Sequence, residues 1–549
     1  MNPDTYPHRV TQFSTRLKSM SNPKMVISRR IRHRVIQSGV LFAALLLVGG
    51  ISAASGQNTP NVPSAQSVET PGPHAVGLKV VNQYDYSRSY RFSTDELGQP
   101  FRGERARPLQ TLIWYPAQKS KAKPMTVADY VHLIATDSRY DRPEAEKEEV
   151  KSRTEMASRL NNPMWAVRNA SLEAGQFPLV IYAPGMDDDS WENASLCEFL
   201  ASYGYVVIAS PSTALHGRYM DGGVAASNAL ARDILFLLDY AQRLPDTDPS
   251  EVAVVGYSYG GLAGLFAAAR DSRVKALIGV DGTMRYAPDV VKQAGDVHPE
   301  QMTIPLLFFG GVQRPDPAGD LKGEQGADNV LYAWKHGDVT AAWMQQMKHG
   351  NFPSLDHRSA SITSDANTHE IEIATGRAWV DRYTREFLDA HLKQDLGAMV
   401  FLKKTPEENG VPTSAMILTF RAAKGPVPTL EGFRAELGRQ GFEHASDIYA
   451  AMRREYPEFK LEESKLMNGW VYALTNSNHA AEALGLLKAY QLACPNSGEV
   501  YYLFGQAYER AGQKVLAVES YKQALKIEPD FGPAQAKLTA LESNSTPGK

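Results

Sequence analysis

Residues 252–264 read VAVVGYSYGGLAG, and this stretch decides the fold. Four apolar β-formers run directly into a Gly-x-Ser-x-Gly pattern centred on Ser258, and a small-residue helix pattern follows as far as Ala269. This order predicts a strand, a sharp turn that carries the serine, and a helix. The glycines beside the serine lack a Cβ, so strand and helix can approach closely. The hydroxyl is therefore expected at the carboxyl edge of a sheet and at a helix N-terminus, where backbone N–H groups favour developing negative charge.

Strand and helix patterns alternate on both sides of this turn. Such alternation is typical of an α/β fold with a mostly parallel sheet flanked by helices. A polar, mostly helical segment, residues 118–176, follows the first two strands. The sequence predicts strands near residues 78–81, 109–114, 177–182, 205–209, 252–255, 274–280 and 304–309, with the main helices at 195–203, 225–244 and 374–392.

After Thr429 the whole pattern is helical and contains an internal repeat. The eight signature positions of a tetratricopeptide repeat are occupied by Tyr501, Phe504, Gly505, Tyr508, Ala517, Tyr521, Ala524 and Pro529. One period of about 34 residues earlier, a degenerate copy has Trp470, Ala483, Leu487 and Pro495 at corresponding positions. Helices at 430–437 and 445–454 supply a third hairpin, and a capping helix is predicted near 533–541. We therefore expect a small all-α tetratricopeptide-repeat domain after the α/β domain.

The N-terminal region has the pattern of a targeting segment. Basic residues between Arg29 and Arg34 precede an apolar run at 40–48 and small residues at 52–56, an arrangement typical of a secretory signal. This predicts export to the periplasm or the medium, with membrane anchoring by residues 40–54 as the alternative. The predicted organisation is a signal peptide or anchor at 1–56, a linker at 57–75, an α/β catalytic domain at 76–395, a linker at 396–429, a helical repeat domain at 430–543 and a tail at 544–549.

Composition excludes several classes of function. Residues 1–56 carry eight Lys and Arg against one acidic residue, so the remainder of the chain has an acidic excess and no basic character suited to nucleic acid. The two cysteines, Cys197 and Cys494, fall in different predicted domains and exclude a disulfide framework. No His or Cys cluster has metal-ligand spacing. The sequence therefore predicts chemistry without a metal or cofactor.

A serine nucleophile needs a base and an orienting acid, which in folds with this turn follow in the order serine, acid, histidine. Asp281 ends the predicted strand 274–280, one strand after the serine, and is the favoured acid. The competing acid is Asp316, in a proline-rich loop after the next strand. His349 follows the apolar stretch 341–347 and is the favoured base, with His357 as its rival. The oxyanion donors are predicted to be the backbone N–H groups of Tyr259 and Met186.

Two further stretches carry a resemblance to a known family. Residues 107–116, RPLQTLIWYP, and residues 175–182, GQFPLVIY, resemble the platelet-activating-factor acetylhydrolase branch of the α/β-hydrolases, whose bacterial members are often labelled dienelactone hydrolase-like. The resemblance spans about residues 78–395. It implies an acid on the strand after the nucleophile, here Asp281, and a base followed closely by Phe, as His349 is by Phe352. The chain departs from the family in its oxyanion loop, where Pro184-Gly185 stands in place of the usual His-Gly.

Residues and resemblance together predict an exported serine hydrolase that cleaves carboxylic esters through an acyl-enzyme intermediate. A small ester or lipid-like molecule is the expected substrate, and the repeats are expected to bind a protein partner or to pack on the catalytic domain. Two alternatives remain open at this point. One is a serine peptidase on the same fold, and the other is a catalytically inactive hydrolase fold that binds proteins through its repeats.

Overall fold

The computed structural model describes residues 70–154, 161–324, 326, 328–355, 368–425, 427–457 and 459–543. The predicted signal or anchor at 1–56, most of the 57–75 linker, the rival base His357 and the 544–549 tail lie outside these described residues. Within the described ranges, no helix combines the length and the apolar character needed to cross a membrane.

In the described part of the chain, ten strands form a single sheet, and the patterns that predicted most of them are period-two or continuous apolar runs. The strands are β1 (Ala75–Ser89), β2 (Ala106–Ala117), β3 (Val167–Arg168), β4 (Phe177–Ala183), β5 (Val206–Ala209), β6 (Thr247–Tyr257), β7 (Val274–Val280), β8 (Leu306–Gly311), β9 (Val339–Met344) and β10 (Met416–Arg421).

The strand order is β10-β9-β8-β7-β6-β4-β5-β2-β1-β3. The six central strands from β9 to β5 pair in parallel, whereas β10 joins β9, and β2 joins both β5 and β1, in the antiparallel direction. Parallel strands need a crossover connection, usually a helix, so their carboxyl ends meet at one edge. The α/β fold class with a mostly parallel sheet, followed by an all-helical region, is confirmed.

Helices cover both faces of the sheet. The helices of this part are α1 (Val127–Val131), α2 (Glu144–Thr154), α3 (Ala194–Ser202), α4 (Gly223–Ala241), α5 (Tyr259–Arg270), α6 (Pro288–Ala294), α7 (Pro317–Leu321), α8 (Val330–Ala333), α9 (Thr368–Leu392) and α10 (Leu396–Lys403). Alternate residues of β4 belong to different cores. Val180 and Tyr182 pack with α3 and α9 on one face, and Leu179 and Ile181 pack with α4 and α5 on the other. A strand buried on both sides explains the continuous apolar run in the sequence.

The segment 396–429 differs from its prediction as a linker. It contains α10 and the edge strand β10, whose residues Met416 to Arg421 pair with Met344 to Val339. The sheet therefore extends to residue 421. Strand β9 was not predicted as a strand either, because its short run V-T-A-A-W-M lacks a clear alternation and its companion lies far along the chain.

The region after residue 429 consists of helices α11 (Leu430–Gln440), α12 (Ala445–Glu455), α13 (Lys465–Asn476), α14 (Ala480–Ala493), α15 (Gly498–Arg510), α16 (Lys514–Ile527) and α17 (Gly532–Ser543). Ser464 caps α13 and Ser497 caps α15 in the same way, each accepting from the backbone N–H three residues on. A Cβ on Gly505 would overlap the ring of Tyr521, which is fully buried. The glycine therefore allows α15 and α16 to approach closely.

Candidate active site

Ser258 lies on the turn between β6 and α5. Its backbone has φ 50° and ψ −120°, a conformation that a residue with a Cβ rarely adopts and that costs about 1–3 kcal/mol. Two backbone hydrogen bonds to residues at the end of β7 and just after it hold Ser258 in this conformation. The Ser258 N–H donates to Val280 O at 3.1 Å, and the Thr283 N–H donates to Ser258 O at 2.7 Å. The serine turn is thus attached to the end of β7 and to the residues that follow it.

The glycines around the serine are required by close backbone contacts. A Cβ on Gly256 would overlap the backbone of Gly260, and a Cβ on Gly260 would overlap the carbonyl oxygens of Ala183 and Pro184. These contacts bring the start of α5 against the end of β4. The steric reason proposed from the sequence for the Gly-x-Ser-x-Gly pattern is therefore visible in the structure.

Three side chains from separate strand ends form a hydrogen-bonded chain. His349 Nε2 lies 2.9 Å from Ser258 Oγ, and His349 Nδ1 lies 2.6 Å from Asp281 Oδ2. With the proton on Nδ1, the ring donates to the carboxylate and accepts from the serine hydroxyl. Asp281 is almost fully buried with 4% of its side chain exposed, whereas His349 is 43% exposed. The histidine can thus receive a proton at a site that a substrate can reach, which is the geometry required of a general base.

The two candidate acids have different partners. Asp281 reaches His349, and its other oxygen, Oδ1, accepts from the Tyr286 hydroxyl at 3.0 Å and from the Gly311 N–H at 3.3 Å. Asp316 instead caps α7, with Oδ1 accepting from the Ala318 N–H at 2.8 Å. The structure brings the favoured acid, and not its competitor, to the histidine.

Two tyrosines that sequence reasoning missed contact Asp281 and His349. Tyr286 supports Asp281, and burial together with the negative charge of Asp281 raises the pKa of its phenol. Tyr257 stacks on the ring of His349 with centroids 5.0 Å apart, and its hydroxyl donates to His349 O at 3.1 Å. Tyr257 is the variable residue before the serine in the Gly-x-Ser-x-Gly pattern, so its position was visible in the sequence although its contact was not.

The predicted oxyanion donors belong to two adjoining segments. Tyr259 is the first residue of α5, and the first N–H groups of a helix have no acceptor within the helix. Its side chain is anchored by bonds of its hydroxyl to Gly223 O at 2.7 Å and to Ser227 Oγ at 2.9 Å. Met186 lies in the loop after β4 and is 39% exposed. Because Gly260 packs directly on Ala183 and Pro184, this loop and the serine turn lie side by side.

A second interaction missed from the sequence anchors the Met186 loop. The Gly185 N–H donates to Glu192 Oε1 at 2.9 Å, and the Tyr182 hydroxyl donates to the same oxygen at 2.8 Å. A Cβ on Gly185 would overlap Asp188 Oδ2. Burial, followed by the neighbouring Asp188, raises the pKa of the Glu192 carboxyl well above its usual range.

Metal chemistry has no obvious site in the part of the chain that the structure describes. There, no group of three or more His, Cys, Asp or Glu side chains is arranged to hold a metal ion.

Comparisons with known proteins found similarity to solved structures and none in sequence. No protein-family model matches the chain, and no curated protein matches it in sequence. A solved structure of a ferulic acid esterase from Streptomyces cinnamoneus is similar in structure and 20% identical in sequence. The match covers 64% of this chain and 98% of that chain, with a TM-score of 0.44.

Proposed function

We propose that the protein is a serine hydrolase that cleaves carboxylic esters through a Ser258–His349–Asp281 triad. The observation that carries the proposal is the continuous hydrogen-bonded chain from Ser258 Oγ through both ring nitrogens of His349 to Asp281. Serine alone is a weak nucleophile and needs an adjacent base that a third group orients. The strained backbone of Ser258 supports this role, because such strain is common at reactive residues.

Each residue has one task in this reaction. His349 takes the proton of Ser258 as the hydroxyl oxygen attacks the acyl carbonyl carbon, and Asp281 stabilises the imidazolium that forms. The N–H groups of Tyr259 and Met186 stabilise the negative oxygen of the tetrahedral intermediate. His349 then gives its proton to the leaving alcohol oxygen. A water molecule, deprotonated by His349, releases the acyl group and restores the serine. No cofactor enters these steps.

Apolar side chains beside the Met186 loop support an ester with an apolar group as substrate. The Met220 N–H donates to Asp187 Oδ1 at 2.8 Å, so the 215–222 segment is attached to this loop. That segment exposes Tyr219 to 82% and Leu215 to 42%, next to the partly exposed Met186. Exposed apolar groups that adjoin a polar site are typical of ligand-binding surfaces. A small ester or a lipid-like molecule with an apolar acyl or alcohol part fits this arrangement.

We also propose that the protein is exported and that it belongs to the platelet-activating-factor acetylhydrolase branch. We propose further that its tetratricopeptide repeats bind a protein. Each rests on sequence: the basic and apolar segments before residue 57, the 107–116 stretch and the repeat positions between Tyr501 and Pro529. The helical pairs and shared serine caps of the C-terminal region support the repeat interpretation.

The proposal is tested with 4-nitrophenyl esters of increasing acyl length, peptide 4-nitroanilides, and labelling by a fluorophosphonate probe. We expect ester turnover and covalent labelling, both abolished by Ser258→Ala and both retained in Ser272→Ala, which changes an exposed serine outside the site. Turnover of the anilides without turnover of any ester would favour a peptidase. Folded protein that neither labels nor turns over substrate would favour an inactive scaffold.

A further inference from the structure

Glu192 and Asp188 form a pair of carboxyl groups directly behind the proposed oxyanion loop. Glu192 Oε1 accepts from the Gly185 N–H and the Tyr182 hydroxyl, and burial, followed by the neighbouring Asp188 carboxyl, raises the pKa of Glu192. Asp188 Oδ2 lies against Gly185, where no Cβ could fit. Both carboxyl groups therefore lie against Gly185, and two carboxyl groups held this close favour one shared proton, because like charges repel and ionised carboxylates can only accept.

The same contacts fix the direction of the Met186 N–H. The Asp188 N–H donates to Gly185 O at 3.3 Å, and the Gly185 N–H is held by Glu192. A trans peptide is planar, with its C=O and its N–H on opposite sides. Once Gly185 O is directed to Asp188, the Met186 N–H of the same peptide unit must point the other way. Anchoring Gly185 therefore orients the donor that the proposed reaction uses.

We propose that Glu192 and Asp188 are positioning residues that share one proton, and that the neutral Glu192 keeps the Gly185–Met186 peptide in its oxyanion-binding orientation. Loss of this proton would place two negative charges side by side behind the loop and displace it. The inference rests on the proposed function for its effect on catalysis. The sharing of the proton does not depend on that function.

The surroundings of the pair disfavour a second negative charge. Asp187 and Asp189 flank Asp188 in sequence, and burial is the main cause that raises the pKa of both. Among the described residues, Arg218 lowers the pKa of Asp187 and Asp189 and is itself engaged with Asp137, with Asp189 at 2.6 Å and with Asp187 O at 3.1 Å.

On the strand side, two tyrosines face the pair. Burial, followed by Glu192, raises the pKa of the Tyr182 phenol on β4. Burial, followed by Glu192 and Asp188, raises the pKa of the Tyr257 phenol on β6. Tyr257 also stacks on His349. The two carboxyl groups and the proposed base therefore share one aromatic neighbour. The environment thus stabilises the state with a single shared proton.

Glu192→Gln is the decisive variant. Glutamine keeps the carbonyl acceptor for Gly185 and Tyr182, and its amide can donate permanently to Asp188 without titrating. We expect kcat near neutral pH within about threefold of wild type, and a smaller loss of kcat as the pH rises than in wild type. Glu192→Ala removes the acceptor and should lower kcat by about 10²–10³, the cost of one oxyanion donor, with little change in KM. Glu96→Gln, which changes an exposed carboxyl, should behave as wild type.

Thermal unfolding gives a readout that is independent of catalysis. The Glu192 pKa is raised in the folded protein, so its contribution to stability is complete below the unfolded pKa and is lost as the pH rises through the folded pKa. The difference in Tm between Glu192→Gln and wild type should therefore grow in favour of glutamine from about pH 5 to about pH 9.

Three results overturn the inference: a constant difference in Tm, a Glu192→Gln pH profile identical to wild type, or Glu192→Gln inactive at every pH. A growing difference in Tm in a protein that cleaves no ester would reject the proposed function and leave the shared proton standing.

Discussion

The Tyr286 hydroxyl donates to Oδ1 of Asp281, the carboxylate oxygen that His349 does not use. Hydrogen bonds to ionised acceptors contribute about 1.5–3 kcal/mol, more than bonds between neutral groups. Because Asp281 is buried, its two oxygens depend on protein donors rather than on water. The orientation of the acid, and through it that of the base, is therefore shared between Tyr286 and the Gly311 N–H.

Replacing Tyr286 by Phe should lower kcat about tenfold and change KM little, because the lost bond orients a residue that does not touch the substrate. Steady-state kinetics on the best nitrophenyl ester measures the effect. Tyr86→Phe, which removes a hydroxyl from a side chain that is 75% exposed, is the matched control and should be silent. An unchanged kcat in Tyr286→Phe would show that the Gly311 N–H orients Asp281 without help.

Asp281→Asn should lower kcat by about 10⁴, because an amide can no longer hold the histidine in the tautomer that accepts from serine. Asp316→Asn should leave kcat unchanged and alter the free energy of unfolding by less than about 0.5 kcal/mol, since Asn caps a helix as well as Asp does. Parallel kinetics and denaturant unfolding of the two variants separate the roles. A large loss in Asp316→Asn with activity retained in Asp281→Asn would transfer the acid role to Asp316.

Gly260→Ala should destabilise the protein by about 3 kcal/mol or more, because its Cβ would overlap backbone carbonyls that cannot move aside. Gly438→Ala is the matched control on α11. There a Cβ meets open space. The lower flexibility of the unfolded chain and the higher helix propensity of Ala should raise the free energy of unfolding by about 0.5–1 kcal/mol. Denaturant unfolding measures the free energy of unfolding of the two variants. Equal stabilities of the two variants would contradict the close packing of the serine turn on Ala183 and Pro184.

Gly505→Ala should destabilise the C-terminal helices, since its Cβ would overlap the buried ring of Tyr521 and force α15 from α16. Gly469→Ala, on the exposed side of α13, should be neutral or slightly stabilising because nothing lies near its Cβ. Hydrogen exchange of the amides in residues 498–527 reports on this region alone. Faster exchange in Gly469→Ala than in Gly505→Ala would contradict the helix contact.

Local patterns were enough to predict the serine turn and the central parallel strands. Val252 to Val255 form a continuous apolar run, and the glycines near Ser258 have a steric reason that depends only on adjacent segments. Asp281 could be favoured because the carboxyl ends of neighbouring parallel strands meet at the same edge. These inferences need few long-range contacts.

Features that depend on pairing between distant segments were not predictable in this way. Strand β10 was assigned to a linker because its partner, β9, lies on the other side of α9 in the chain. The sequence pattern does not single out Glu192, because an acidic residue just before a helix is usually solvated. Its role follows only from the approach of Gly185, Tyr182 and Asp188, which no sequence period encodes.

The pairing of β10 with β9 also has a consequence for the order in which the protein is made. Strand β9 leads directly to His349, and its outer side pairs only with residues 416–421. During synthesis the three residues of the proposed triad leave the ribosome before this last strand, and until then the outer edge of β9 presents unpaired N–H and C=O groups. A fragment that ends at residue 395 would contain Ser258, Asp281 and His349 and still lack the strand that completes the sheet beside the base. A chain that keeps the whole sheet beside His349 therefore has to extend beyond Arg421, close to the first C-terminal helix.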